Sequence, residues 1–271
     1  MEDRMIPLIV CGACGRMGRA ILTCALEAKD FEIAGAIEAP DHPSIGKTVA
    51  EGCGIAGCQL RIERAPQSLK GRKAALVDFS TPDAGIQYLS WASEQRFPMV
   101  IGTTGFEKHQ IDRMKKASEE IPIVFASNMS VGVNLLFKLV EEAARILGPD
   151  YDAEIVEIHH RFKKDAPSGT AKTLAEKIAK ARSLDPAEAL VQGRKGMIGD
   201  RKSGEIGIHA LRAGDIIGEH TVVFATLGER IEMTHRCHSR NTFALGALRA
   251  ARFVHTSAPG FFNMQDVLGI R

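Results

Sequence analysis

Ile6-Pro7-Leu8-Ile9-Val10-Cys11 runs directly into Gly12-Ala13-Cys14-Gly15-Arg16-Met17-Gly18, and an amphipathic stretch continues through Arg19 to about Ala28. Phe31-Glu32-Ile33-Ala34-Gly35-Ala36-Ile37 follows, closed by an acid, Glu38. No other part of the chain limits the fold so tightly. Short apolar runs bounded by glycines read as buried strands, and apolar residues at helical spacing read as a helix packed on them. Strand, glycine-rich turn, helix, strand, acid is the order of a dinucleotide-binding βαβ unit. The glycines let a pyrophosphate approach the backbone, and the acid accepts from a ribose diol. The spacing is GxxGxxG rather than GxGxxG, which by itself also fits a plain βαβ turn. The flanking strands, the helix and Glu38 favour a cofactor site.

The alternation continues. Ala74-Ala75-Leu76-Val77-Asp78-Phe79 reads as a strand, and Ser80-Thr81-Pro82-Asp83 caps the next helix, with Pro82 in its first turn. Pro98-Met99-Val100-Ile101 leads into Gly102-Thr103-Thr104-Gly105, and Ile123-Val124-Phe125-Ala126 leads into Ser127-Asn128-Met129-Ser130. Alternating strands and helices imply a parallel sheet with ligands at its carboxyl edge. The loops after the fourth and fifth strands fall on that edge, either as plain turns or as the floor of the nicotinamide site. Residues 39–72 carry prolines and glycines without periodicity, so an irregular region with one short strand at Cys58-Gln59-Leu60-Arg61-Ile62 is expected.

The second half changes character. Apolar residues from Val131 to Leu147 recur at helical spacing and stop at Gly148-Pro149, and Ala153 to His159 alternates as a half-buried strand does. Gly169 to Ala181 reads as a helix with Ser168 as N-cap. Val191 to Gly204 reads as a loop. Ile206 to Leu211, Gly218 to Ala225 and Arg230 to His235 are strands, and Gly214-Asp215 and Gly228-Glu229 between them suggest antiparallel neighbours. A last helix, Thr242 to His255, can pack back on the first half. The fold class expected is α/β: an N-terminal Rossmann-like parallel sheet with a C-terminal α+β substrate-binding and oligomerisation domain. The boundaries expected are 1–130, joined by helices of 241–271, for the dinucleotide-binding domain, and 131–240 for the other. A sheet rich in β-branched residues can bury one face against a copy of itself.

Chemistry concentrates between that strand and helix, in Glu157-Ile158-His159-His160-Arg161-Phe162-Lys163-Lys164-Asp165-Ala166-Pro167-Ser168-Gly169-Thr170-Ala171. Imidazole suits proton transfer near neutral pH. A lysine beside it can donate a proton or hold an anion, and a Ser-Gly-Thr turn opening a helix offers amides and a dipole to a carboxylate. The expected ligand is a small anion. Neighbours on a strand face opposite ways, so either His159 or His160 can be structural, and Lys163 or Lys164 can be merely solvated. His209, His220, His235 and His238 read as core-edge or surface residues, and Arg240 as a candidate anion contact.

Bulk properties exclude other classes. A net charge of +2, a single tryptophan and two tyrosines give no argument for nucleic acid. No apolar run reaches the ~18–20 residues of a membrane span, and Met1-Glu2-Asp3-Arg4 has no signal-peptide core, so a cytoplasmic protein is expected. Among six cysteines, Cys11 with Cys14 and Cys53 with Cys58 are spaced loosely as metal or disulfide pairs. The alternative, free thiols packing as small apolar groups, is the one expected, with no metal.

Together the Gly12–Gly18 loop, Glu38, Gly102-Thr103-Thr104-Gly105 and the run from His159 to Ala171 closely resemble the dihydrodipicolinate reductase family, over nearly the whole chain. The resemblance implies reduction of 4-hydroxy-tetrahydrodipicolinate, via dihydrodipicolinate, to tetrahydrodipicolinate in lysine and diaminopimelate synthesis. It implies that Gly12, Ala13, Cys14, Gly15, Arg16 and Met17 hold the pyrophosphate and Glu38 the adenosine ribose. Gly102, Thr103 and Thr104 with Ala126, Ser127, Asn128 and Met129 would line the nicotinamide. His159 would be a proton donor or acceptor and Lys163 the proton donor, and His160, Gly169 and Thr170, with Ser168 in the same turn, would bind the carboxylates of a small dicarboxylate substrate. A cytoplasmic homotetramer formed through the C-terminal sheet is also implied. Many family members place a cation after the acid, suited to NADPH; here that position is Ala39, so NADH is expected to be favoured, with Arg16 a possible route to NADPH. Competing expectations are a diaminopimelate or aspartate-semialdehyde dehydrogenase, and a module that senses NAD(H) without turnover. The second of these dehydrogenases needs a nucleophilic cysteine, and none lies near the His159–Thr170 run.

Overall fold

Successive residues of β1 (Ile6–Cys11) point to opposite faces of a sheet, and both faces are buried. Leu8 and Val10 pack with one apolar cluster, Ile9 and Cys11 with another. That pattern demands helices on both sides. A computed structural model, describing residues 5–67, 69 and 72–270, provides them. Met1–Arg4, on which the expectation of no leader rests, lie outside the described residues. One compact unit comprises residues 1–131 and 240–271, and a second comprises 132–239.

In the first unit the strands are β1, β2 (Phe31–Ile37), β3 (Ile62–Glu63), β4 (Ala75–Asp78), β5 (Met99–Ile101) and β6 (Pro122–Phe125), with β12 (Gly260–Phe262) near the end of the chain. They form one sheet in the order β12-β6-β5-β4-β1-β2-β3, parallel throughout. The order reverses between β1 and β4, which opens a crevice beyond their carboxyl ends. Helix α1 (Arg16–Glu27) buries Ile21, Leu22 and Ala25 on the Leu8 side, joined there by α8 (Asn241–Thr256). Helices α3 (Pro82–Gln95) and α4 (Lys108–Ala117) cover the other face.

The irregular region departs from expectation. Cys58-Gln59-Leu60 form no strand, because the carbonyls of Cys58 and Leu60 accept from Ala50 and Val49, the opening residues of α2 (Val49–Cys53). Pairing with β2 is left to Ile62 and Glu63.

In the second unit, α5 (Val131–Leu147), which begins at the boundary, and α6 (Gly169–Ala181) pack on one face of a mixed sheet, with a short α7 (Pro186–Ala189) beyond. Its strands are β7 (Asp152–His159), β8 (Leu190–Gln192), β9 (Ile206–Arg212), β10 (Gly218–Thr226) and β11 (Glu229–Cys237), in the order β11-β10-β7-β9-β8. The first residues after 190 thus pair as an edge strand where a loop is expected. The β10–β11 hairpin forms as its turn residues suggest. Strands β9 and β10 are not neighbours: β7 lies between them, parallel to β9 and antiparallel to β10. With Ala153 and Ile155 fully buried, β7 takes the centre, and Gly214-Asp215 belongs to a crossover. The chain closes with α9 (Met264–Leu268). No helix among the described residues is long and apolar enough to cross a membrane.

Candidate active site

Two neighbouring cavities open at the crevice of the first unit. One, of about 740 Å³, is lined by Gly12, Cys14, Gly15, Glu38, Arg64 and Trp91, among others. The second, of about 500 Å³, is lined by Gly15, Arg16, Met17, Gly102, Thr103, Thr104, Ser127, Asn128, Met129 and Phe243, together with Phe79 and Ser80, which border the first as well. The expected cofactor residues therefore converge, except Ala13, which is fully buried, and Ala126, which lines neither.

The loop also reveals which of its amides are available. Gly12 and Ala13 both donate to the Ile37 carbonyl at 2.9 and 3.0 Å, and Gly15 donates to Gly12 at 3.1 Å. Cys14 donates to Glu38 Oε2 at 2.8 Å. The amides of Arg16, Met17 and Gly18 make no hydrogen bond among the described residues. They form the N-terminus of α1, whose first turn holds no acid, an arrangement able to receive an anion. Close packing brings them there: a Cβ on Gly18 would stand 2.1 Å from the Gly12 carbonyl oxygen. Gly12 itself has φ +75° and faces the Phe79 carbonyl, with no room for a side chain.

At the end of β4, Asp78 is fully buried and accepts from the hydroxyls of Ser80 (2.5 Å) and Thr103 (2.7 Å). It joins the loops after β4 and β5. Burial pushes its carboxyl above the usual range, against the pull of those bonds. The cavity also gathers Cys14, Glu38 and His42, whose ligand atoms lie within 4.8 Å of one another. Glu38 already accepts from the amides of Cys14 and Ala39, and His42 Nδ1 accepts from Ser44 N–H. That leaves a poor donor set for a metal. All six cysteines carry free thiols; Cys53 Sγ lies 3.5 Å from Cys14 Sγ, and burial foremost pushes its thiol up to about 12.

In the second unit, strand alternation builds the cationic site. Ala153, Ile155 and Glu157 form the buried row of β7, with His159 next in it. The register sets His220 of β10 opposite Glu157, and Arg212 of β9 opposite His159. Glu157 is fully buried and is bonded from three directions. His159 Nδ1 approaches Oε2 at 2.6 Å, Arg212 donates to both oxygens at 2.8 and 2.9 Å, and Ser168 N–H donates to Oε1 at 3.0 Å. Burial pushes this carboxyl up, but those bonds outweigh it and bring it down to about 2.

Ser168 caps α6 as expected, accepting from Ala171 N–H at 3.2 Å. Its hydroxyl also hydrogen-bonds with His220 Nε2, 3.0 Å away. His220 is not the core-edge or surface residue expected: it is 3% exposed and lies 5.2 Å from the His159 ring. Burial first, then His159, drives it down to about 3, so it stays neutral. Gly169 is exposed, and the first turn of α6 has no acid. Lys163 Nζ is held by both Asp165 oxygens at 2.9 Å, whereas Lys164 is exposed. His160 falls just past the end of β7, in the turn closed by the Lys163 amide. Arg240 belongs to the first unit, at the N-cap of α8.

Glu157, Arg212 and His220 escaped the sequence reading as site residues. The signal for Glu157 was available: it is a carboxylate on the core-facing row, two residues before the histidine.

A Rossmann-type sheet with unpaired amides at a helix N-terminus and an acid after β2 defines a nucleotide-binding enzyme domain, and the second unit gathers His159, Lys163 and Arg212 around Glu157 and Asp165. The chain belongs to the dihydrodipicolinate reductase family: residues 6–129 match the family's N-terminal model and 132–268 its C-terminal model. The 4-hydroxy-tetrahydrodipicolinate reductase of Syntrophus aciditrophicus is 45% identical over 267 residues, covering 98% of this chain and all of the relative. That of Nitrosospira multiformis is 47% identical over 264 residues, covering 97% and 98%. A solved dipicolinate-bound dihydrodipicolinate reductase from Paenisporosarcina sp. TG-14 shares the fold, with TM-score 0.73 at 22% identity over 97% of this chain and 98% of that one.

Proposed function

We propose that this protein is an NAD(P)H-dependent oxidoreductase that reduces 4-hydroxy-tetrahydrodipicolinate, via dihydrodipicolinate, to tetrahydrodipicolinate for lysine and diaminopimelate synthesis. The observation that carries the reading is a match to both halves of the family in a chain whose α1 N-terminus and His159–Lys163 cluster suit the two ligands. The Arg16–Gly18 amides receive a pyrophosphate, and Glu38 accepts from a ribose diol. When bound, the dinucleotide supplies hydride. Ser168, Gly169, Thr170 and His160 orient the substrate carboxylates at the start of α6, whose dipole favours them. His159 and Lys163 provide the proton for the carbon beside the one reduced and offset the charge that develops there.

NADH is the favoured cofactor, because Glu38 repels a 2′-phosphate and Ala39 offers no cation. Arg16 lines the cavity away from Glu38, while Arg64 shares the cavity with Glu38, so Arg64 is the better placed of the two to support NADPH. The protein works as a cytoplasmic homotetramer that binds neither nucleic acid nor membrane. The sheet face opposite α5 and α6, bearing Val156, Ile158, Leu211 and Val223, is half-buried or exposed within its unit and supports self-association through that face.

Supplying the aldol product of pyruvate and aspartate semialdehyde and following NADH loss tests the activity, and light scattering tests the tetramer. Cofactor binding without NADH loss would favour a nucleotide sensor instead.

A further inference from the structure

A proton-donating histidine must present one nitrogen to its substrate and keep the other out of the reaction. His159 is arranged in this way, and the arrangement is made by a residue that need not touch substrate. Glu157 occupies the next inward position of β7 after Ala153 and Ile155, where an apolar residue would continue the core. Burying a carboxylate there, even paired with Arg212, gives no stability that a well-packed apolar side chain would not match. The charge is better explained by what it holds. Being acceptor-only when ionised, Glu157 requires His159 Nδ1, at 2.6 Å, to carry a proton. Arg212 and the Ser168 amide take up the remaining acceptor positions, so the carboxylate cannot swing away. Space for the opposite nitrogen comes from β10, where a Cβ on Gly218 would stand 2.9 Å from His159 Nε2.

We propose, building on the reductase reading, that Glu157 is the positioning residue of this enzyme: it fixes His159 as the Nδ1–H tautomer so that Nε2 alone exchanges protons with substrate. In the reductive step the Nε2–H bond breaks, its proton passes to the substrate carbon, and the ring is left neutral with Nδ1–H still on Glu157. Reprotonation from solvent occurs at Nε2.

Ring-nitrogen NMR on ¹⁵N-histidine-labelled full-length protein, together with steady-state kinetics, tests this. Two variants are compared, Glu157→Gln and the double variant Glu157→Met/Arg212→Met, which leaves no unpaired buried charge and should fold if the single variant does not. Wild-type protein is expected to show His159 as a single Nδ1–H tautomer, and the variants a tautomer mixture. The variants should lose about 10–100-fold in kcat, with substrate KM within about threefold and NADH affinity unchanged. Wild-type kcat in either folded variant would overturn the proposal. So would a raised KM at unchanged kcat, which would assign Glu157 to the carboxylate seat. Because the tautomer is read in the free protein, an inactive wild type would sink the reductase reading while leaving this measurement to decide the Glu157–His159 pair.

Discussion

Gly18→Ala is the smallest change that tests whether the packing of α1 against the glycine loop makes the cofactor seat. Its methyl would stand 2.1 Å from the Gly12 carbonyl oxygen and 2.7 Å from Cα and O of Ala13, all backbone atoms that no rotamer change can move. An ordinary carbon–oxygen contact is about 3.4 Å, so loop and helix must separate by more than about 1 Å. In a free helix, Gly→Ala gains about 1 kcal/mol; overpacking costs about 1–3 kcal/mol. The net effect on unfolding is therefore a loss of up to about 2 kcal/mol. The ligand suffers more, because the amides of Arg16, Met17 and Gly18 act as an aligned set. Hydrogen bonds to a charged group contribute about 1.5–3 kcal/mol each, and losing one raises Kd for NADH about 10–150-fold. The assay is direct: the single tryptophan, Trp91, lines the same cavity as Glu38, so its quenching on NADH titration reports occupancy. A folded variant with NADH Kd within about twofold of wild type and an unchanged urea midpoint would show that this packing does not create the seat.

Lys163→Ala should lower kcat by roughly 10²–10⁴ and leave NADH affinity nearly intact; wild-type turnover would remove Lys163 from the chemistry. Arg64→Ala should raise KM for NADPH while sparing NADH, and an equal effect on both cofactors would separate Arg64 from the 2′-phosphate. Glu157 is held at about 2 against an ordinary 4.5, so its contribution, about 3 kcal/mol, is present above pH 4.5 and is lost as pH falls toward 2. Urea unfolding across that window should show a shallower acid loss in Glu157→Met/Arg212→Met than in wild type, and parallel curves would refute the assignment.

What the chain reveals by itself follows from how local each determinant is. Strands β1 and β2 and helices α5 and α6 are readable because apolar periodicity and bounding glycines are properties of neighbouring residues. Ser168 is readable as a cap because the amide that donates to it, that of Ala171, lies three residues on. Gly214-Asp215 misleads because the same turn residues serve a hairpin or a crossover, and only the burial of β7 decides between them. Arg212 and His220 reach the site only through the register of β9 and β10 on β7, 55 and 63 positions along the chain from Glu157. The glycine spacing likewise locates the helix N-terminus without showing that amides 12–15 are spent on the Ile37 and Gly12 carbonyls and the Glu38 carboxylate.

The two sheets solve one problem twice, with opposite electrostatics. A strand that ends beneath a ligand must turn its last inward position from packing to anchoring, and in each unit a fully buried carboxylate does so. Asp78 is met by hydroxyls and an amide, and its carboxyl shifts upward. Through these bonds it ties together the loops that follow β4 and β5. Glu157 is met by a guanidinium and an imidazole and is driven down. It remains charged at any pH at which the protein would work, and keeps a proton on His159 Nδ1. The partners, not the carboxylates, set the direction of each shift: with neutral donors burial prevails at Asp78, whereas an imidazole and a guanidinium outweigh it at Glu157.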